Sequence, residues 1–328
     1  MSLLVRCAGF LTSIQDLGRG GLRQFGVSVS GALDPHALRV ANLLVGNDQS
    51  AAGLEVTFGD LHLRLTGERI ATWCGGEFGA HVESTAIPAG HAFLLRTGEE
   101  LIIDRPRVGC RAWLAISGGI DVPIVLGSRS TDLRGNFGGT GGRVLRDGDE
   151  IPLGGNSERA DILIKRLRDQ KVANWKPPHV WSSPAQREPL LRFIRGADSR
   201  RFNSSMLQRF KREAFIVSAD FDRMGVRFDA PELQREDHVD LVSEAVAPGT
   251  VQVPPSGKPI LLLGDCQTIG GYPKIGHVIT VDLPIAAQLR GGDQVRFREV
   301  SLAEAHQLWL DRERKLTQFR QGLEAHFK

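Results

Sequence analysis

Leu145-Arg-Asp-Gly-Asp-Glu-Ile-Pro-Leu153 is echoed near the end of the chain by Leu289-Arg-Gly-Gly-Asp-Gln-Val-Arg-Phe297, with four identities in nine positions. Each segment leaves a turn rich in Gly and Asp and enters an alternation of apolar and polar residues, as a strand does on emerging from a tight turn. Two such closing strands predict two similar halves. Fainter matches agree: Phe25-Gly-Val27 with Met224-Gly-Val226, and Leu54-Glu-Val56 with Ser243-Glu-Ala245. The length of 328 residues, at roughly 150 per domain, also gives about two domains.

Working outward, short alternating runs at Leu61–Leu65, Ala92–Arg96, Arg111–Ile116, Ile260–Leu263 and His277–Val281 are separated by Gly, Pro and Asp. Glycine stands at 38 of 328 residues, about 12%, against about 7% in average usage. The chain therefore reads as mainly β, and a long helical bundle is excluded. Helices are few. One runs from Asp34 to Val45, with Asp34 as cap, Pro35 in the first turn and Gly46 at the end. A second spans Asp198 to Arg212, with Phe202, Met206 and Phe210 four apart, and a third runs from Ser301 to Phe327 behind the box Ser301-x-x-Glu304. Asn174 to Pro189 carries Pro177, Pro178, Pro184 and Pro189, which disfavours helix and central strand alike. The predicted organisation is a first domain at 1–173, a linker at 174–189, a second domain at 190–300 and a C-terminal helix at 301–328.

With 41 Lys and Arg against 38 Asp and Glu, the net charge is only +3, and no concentrated basic tract recommends nucleic acid as a partner. Cys7, Cys74, Cys110 and Cys266 are widely spaced, so neither a zinc site nor a disulfide framework is expected. Arg6 interrupts the short apolar run at the N-terminus, and no stretch reaches the ~18 apolar residues of a membrane span. A cytoplasmic protein without membrane contact is the expectation.

The densest polar and glycine-rich segment is Gly264-Asp-Cys-Gln-Thr-Ile-Gly-Gly-Tyr-Pro-Lys-Ile-Gly276, directly after the apolar run Pro259–Leu263. A strand emptying into a loop with Asp265, Gln267, Thr268, Gly270, Gly271, Tyr272 and Lys274 presents many hydrogen-bonding groups beside open backbone. The alternative is a glycine-rich turn that satisfies only itself. In Asp220-Phe-Asp-Arg-Met-Gly-Val-Arg-Phe228, the planar fork of Arg223 suits a carboxylate or carbonyl oxygens, beside Asp222; a structural ion pair is the plainer reading. Gln252 alternates with Val251 and Val253, so it faces away from both, toward a ligand or toward ordinary strand hydrogen bonding. In the first half, Gln15 to Gly21 and Gly127 to Gly135, the latter carrying Arg129, set arginine beside glycines and hydroxyls, a combination that suits an oxyanion or tight surface turns. Single acids such as Asp16 more often cap or pair than catalyse. No P-loop, dinucleotide fingerprint, Gly-x-Ser-x-Gly elbow or His-Glu-x-x-His motif occurs.

Thr12-Ser-Ile-Gln-Asp-Leu-Gly-Arg19, Gly26-Val-Ser-x-Ser-Gly-Ala-Leu-Asp34, Ala41-Asn-Leu-Leu-Val-Gly-Asn47, Leu126-Gly-Ser-Arg-Ser-Thr131, Asp222-Arg-Met-Gly225 and Asp265-Cys-Gln-Thr-Ile-Gly-Gly-Tyr-Pro-Lys274 together resemble the allophanate hydrolase subunit 2 family. This family is also called the KipA-like or biotin-dependent carboxyltransferase family. The resemblance implies a pair of cyclophilin-like β-barrels. It implies work with a subunit 1 (KipI-like) protein, and with a LamB/YcsF-like protein, in the ATP-dependent opening of 5-oxoproline to glutamate. The alternatives within the family are carboxyl transfer from carboxybiotin to urea, and regulation of a sensor kinase through the partner. ATP would be shared with the partner, and the chain has no Ala-Met-Lys-Met sequence for attaching biotin. These substrates are small amides or ureides, for which the expected catalytic groups are Arg223, Lys274 and Asp265. Gln252, Gln267, Thr268, Gly270, Gly271, Tyr272, Asp222 and Arg129 are the expected substrate contacts, with no metal, and all the second-half groups are expected in one pocket.

Overall fold

The computed structural model describes residues 1–235 and 241–326. The chain forms two compact units. The first comprises Met1–Arg19, Ser30–Ala185 and the chain from Lys315 onward; the second comprises Gly20–Val29 and Gln186–Arg314. The boundary lies within the predicted linker, and two features escape a contiguous division. Gly20–Val29 leaves the first unit to join the second, and the C-terminal helix Leu302–His326 is crossed by the boundary at Arg314.

Two antiparallel sheets build the first unit. One has six strands in the order Glu150–Pro152, Ser2–Ala8, Leu61–Leu65, Glu100–Pro106, Phe78–Val82 and Thr85–Ala86. The other has five, in the order Leu11–Gln15, Gly53–Thr57, Arg111–Ile116, Arg69–Gly75 and Phe93–Leu95. Period-two alternation sends Leu61, Leu63 and Leu65 inward and leaves Arg64 exposed; with Leu3, Val5, Ile14, Leu54, Val56 and Leu114 they form one apolar core. The five-stranded sheet is buried on its other face too, because the helix Pro35–Leu44 packs on Arg111–Ile116 and Arg69–Gly75. Glu55 is therefore inside, where its Oε2 accepts from Trp113 Nε1 at 3.0 Å and from the Leu33 amide at 2.9 Å. The helix starts as its sequence dictates: Asp34 accepts from the Ala37 amide at 2.8 Å, Pro35 takes the first turn, and Gly46 follows with φ 85°.

In the second unit seven strands close into a barrel: Leu190–Arg195, Lys274–Val278, Thr250–Gln252, Ile260–Leu262, Gly225–Ala230, Phe215–Phe221 and Gln294–Glu299. The last returns to the first as a parallel pair, Leu190 opposite Arg296 and Phe193 opposite Glu299. Its core is aromatic, with Phe210 stacked on Phe297 at 4.5 Å and Phe215 and Phe228 edge-on around Phe297. The mainly β architecture with a second-half barrel and a C-terminal helix agrees with the sequence.

The echo between the two closing segments is a shared turn. Asp149 accepts from the Arg146 amide at 2.8 Å, and Asp293 from the Arg290 amide at 3.0 Å. Gly148 and Gly292 take φ of 86° and 89°, which L-residues avoid. Two of the four identities, the Gly and the Asp, are thus residues that the turn requires, and the strands that leave it end each half differently: Glu150–Pro152 stands at a sheet edge, whereas Gln294–Glu299 closes a ring.

Three local expectations need correction. The Asp198–Arg212 segment is a 3-10 turn, Ser199–Arg201, and a separate helix, Ser204–Arg212, because Asn203 caps the latter from outside by accepting from the Met206 amide at 3.0 Å. The linker holds a four-residue helix, His179–Ser182. Pro178 precedes its first turn, where the missing N–H costs nothing, and Trp181 packs edge-on against His36 and Phe319. A helix at Glu158–Leu167 adds to the three expected ones; Ser157 caps it, and Ala160, Leu163, Ile164 and Leu167 form its buried stripe. The C-terminal helix follows its box, with Ser301 Oγ accepting from the Glu304 amide at 3.1 Å; Phe327 and Lys328 lie outside the described residues. Among those described, no helix is long and apolar enough to cross a membrane.

Candidate functional site

The hairpin between Phe215–Phe221 and Gly225–Ala230 turns on Asp222, whose Oδ1 accepts from the amides of Met224 at 2.7 Å and Gly225 at 3.1 Å. Gly225 is needed for close approach, since a Cβ there would stand 2.8 Å from the Leu261 carbonyl oxygen. The turn drives Arg223 inward. Only 4% exposed, its fork grips Asp265 on the loop after Ile260–Leu262: Nε donates to Oδ2 at 2.9 Å and Nη2 to Oδ1 at 3.1 Å. The backbones cross at the same place, the Asp265 amide donating to the Arg223 carbonyl at 3.0 Å. A bidentate, desolvated pair of this kind fastens a hairpin to a loop.

Gln252 ends its strand with the side chain turned from Val251 and Val253, and it is 1% exposed. Its Oε1 accepts from Gln267 Nε2 at 3.4 Å, while its own Nε2 is buried and has no hydrogen-bond partner among the described residues. Such an atom costs about 1–3 kcal/mol unless something meets it. Beside it lies a cavity of about 210 Å³, lined by Gln252, Gln267, Tyr272, Asp222, Ile260 and Leu262 among others. Gly270 packs beside this amide, where a Cβ would sit 2.7 Å from Gln252 Nε2. Asp220 and Arg227 stand at the same cavity and pair with each other at 2.8 Å. Tyr272 is half-exposed.

Of the residues selected from sequence, Gln252, Gln267, Tyr272 and Asp222 therefore share one cavity in the second unit. Others are elsewhere engaged. Arg223 and Asp265 hold each other. Lys274 Nζ reaches Asp198 Oδ2 at 3.1 Å and Glu244 Oε2 at 3.0 Å, and is not among the lining residues. Burial alone would lower its pKa, but hydrogen bonds to Glu244 and Asp198 prevail and hold the ammonium above the usual lysine value. Thr268 contributes its carbonyl to the Val246 amide at 3.1 Å, and Gly270 pairs with Glu244 in a two-stranded sheet. Gly271 packs near the Leu241 carbonyl, which a Cβ would meet at 3.0 Å.

Arg129 belongs to the first unit. Its Nη2 donates to Asp121 at 2.8 Å, its Nε to the Val122 carbonyl at 2.9 Å and its amide to Asp16 Oδ2 at 2.6 Å. Asp16 Oδ1 also takes the Gly18 amide at 2.8 Å and the hydroxyls of Ser128 and Ser130 at 2.6 Å each. The donors that read as an oxyanion site hold an anion of the chain itself. Sequence reasoning missed Ile260 and Leu262 at the cavity, because apolar strand residues carry no signal of which wall they form, and it did not single out Met224 in the turn before Gly225–Ala230. Arg23 was missed as well. It lies in the Gly20–Val29 excursion and donates to the carbonyls of Val246 and Gln267. Cys266 beside it is fully buried; burial pushes its thiol pKa up, with Arg23 opposing.

A family model described as carboxyltransferase domain, subdomain A and B, matches residues 25–299. The chain is 38% identical over 311 residues to the C subunit of 5-oxoprolinase from Escherichia coli (strain K12), covering 95% of both. Among solved structures, the crystal structure of the Kluyveromyces lactis urea carboxylase matches with TM-score 0.87 and 26% identity, over 98% of this chain and 29% of that one. The crystal structure of TTHA0988 matches with TM-score 0.77 and 31% identity, over 90% of this chain and 55% of that one. This chain thus spans little more than half of the latter protein and less than a third of the former.

Proposed function

Because the chain belongs to the family of carboxyltransferase domains with subdomains A and B, we propose that it is the C subunit of an ATP-dependent 5-oxoprolinase complex, which converts 5-oxoproline to glutamate. The observation that carries this reading is coextension: the chain and the C subunit of the E. coli 5-oxoprolinase align over 95% of each. In the proposal it acts with a subunit 1 (KipI-like) protein and a LamB/YcsF-like protein, in the cytoplasm.

The cavity supports a small amide as the ligand. A cyclic amide presents a carbonyl oxygen, and Gln252 Nε2 is a buried donor awaiting an acceptor. Its methylenes suit Ile260, Leu262 and Met224 on the apolar side. Because Gln252 is fixed by its strand and by Gln267, the donor needs no reorganisation as the carbonyl oxygen gains charge. ATP does not fit this cavity. At about 210 Å³ it is too small for a nucleotide, and its guanidinium, Arg227, is already paired with Asp220 and not free to hold a triphosphate; nucleotide is assigned to the assembled complex, and no step at Gln252 runs through it.

A second reading, the carboxyltransferase component of a biotin-dependent urea or amide carboxylase, draws support from the TM-score of 0.87 with the K. lactis urea carboxylase. Co-expression with both partners and assay of ATP-dependent glutamate release from 5-oxoproline separates the two. Release is expected; its absence, together with carboxylation of urea by an added carboxybiotin source, would transfer the assignment to the second reading.

A further inference from the structure

Gln252 can meet a ligand with either end of its amide, and the neighbour that occupies one end decides which remains. Gln267 occupies the acceptor, so the donor remains. What holds Gln267 is Arg23, which follows the glycines of the excursion from the first half of the sequence and sits in the 3-10 turn Arg23–Phe25. Its Nη2 donates to the Gln267 carbonyl at 3.2 Å and also to the Val246 carbonyl. Val246 in turn donates its amide to the Thr268 carbonyl at 3.1 Å. One guanidinium therefore staples both strands of the small sheet Glu244–Ala245 and Ile269–Gly270 at the end where Gln267 departs.

We propose that Arg23 is a positioning residue for the amide site: it fixes Gln267, and through Gln267 it presents the donor rather than the acceptor of Gln252 to the ligand carbonyl. This inference rests on the cavity being the amide site proposed above. Losing the staple frees the Gln267 backbone, lets the Gln252 amide turn over, and sets a carbonyl against the ligand's own. Arg23→Lys keeps a cation and a donor for the same two carbonyls, whereas Arg23→Met keeps only the apolar stem.

The test uses the full complex with 5-oxoproline as probe. Arg23→Met is expected to lower kcat/KM at least tenfold, mainly through KM, and Arg23→Lys to recover most of that loss. Gln267→Ala should reproduce the defect, and the Arg23→Met, Gln267→Ala double variant should be no worse than either alone. Unchanged kcat/KM, or losses that multiply, would overturn the inference. Should the wild-type complex not open 5-oxoproline, the function proposed above fails by itself, and hydrogen exchange on the full chain then decides about Arg23. Faster exchange in Arg23→Met confined to the neighbourhood of Val246 and Gln267, at an unchanged Tm, supports the staple; exchange identical to wild type refutes it.

Discussion

Gln252 and Arg223 are both buried polar residues of the second unit, yet their side chains are placed for different ends. The Arg223 fork is matched to Asp265. Removing either partner strands a charge in the interior, which costs about 3–5 kcal/mol. Arg223→Ala is therefore expected to shift denaturant unfolding of the chain by that amount, and a midpoint equal to wild type would contradict the fastening role. Gln252 instead carries an unmet donor. Replacing it with the near-isosteric Met removes a desolvation cost, so Gln252→Met should be as stable as wild type or more stable by about 1–2 kcal/mol, while turnover of the complex drops tenfold or more. A parallel fall in Tm would mean that Gln252 is ordinary core. Sequence pattern could place Gln252, because alternation with Val251 and Val253 is local. It could not distinguish the roles of Arg223, whose partner lies 42 residues away; a guanidinium reads alike whether it waits for a ligand or already holds an aspartate.

At the scale of elements, what was legible was what is local in the chain. Leu61–Leu65 and Arg111–Ile116 are strands to the residue, since two-residue alternation and flanking turns set both ends. The helix Glu158–Leu167 is hard to read in sequence because its apolar stripe is sparse between charges. The paired turns give a pH prediction. Asp149 is held below the ordinary aspartate range, chiefly by hydrogen bonds from Arg143, whereas burial raises Asp293. A lowered carboxylate stabilises the fold above the unfolded value of about 3.9, and that stabilisation disappears as pH falls through the folded value. A raised one works the other way: wild type gains stability as pH falls from its folded value toward 3.9. The penalty of Asp149→Asn, about 1 kcal/mol at neutral pH, should shrink on acidification, and the penalty of Asp293→Asn should grow. Equilibrium unfolding of both variants between pH 7 and pH 3 checks the two signs, and parallel trends would contradict the assignment.

For the molecule as a whole, the site presents a cavity of about 210 Å³ flanked by carboxylates, and the function proposed above leaves the energy source to the assembly. The isolated chain is expected to release no glutamate from 5-oxoproline with ATP, and to do so only when its partners are co-purified; robust turnover by the chain alone would remove the need for them. The mainly β character of both halves was foreseeable from the sequence, but the echo promised two similar halves where the structure has two sheets and a closed barrel, and the exchange of segments was not foreseeable, because nothing in Gly20–Val29 states which core it will join. That exchange has a consequence for synthesis. Each unit keeps one piece beyond the other: the second unit needs Gly20–Val29 from the start of the chain, and the first needs the stretch after Lys315. The first unit stays incomplete until its last segment is translated, after the whole of the second, and the emerging first half must hold Arg23 in reserve for more than two hundred residues, until Val246 and Gln267 have been translated. A gene cut between the units at Ala185 would yield two incomplete folds.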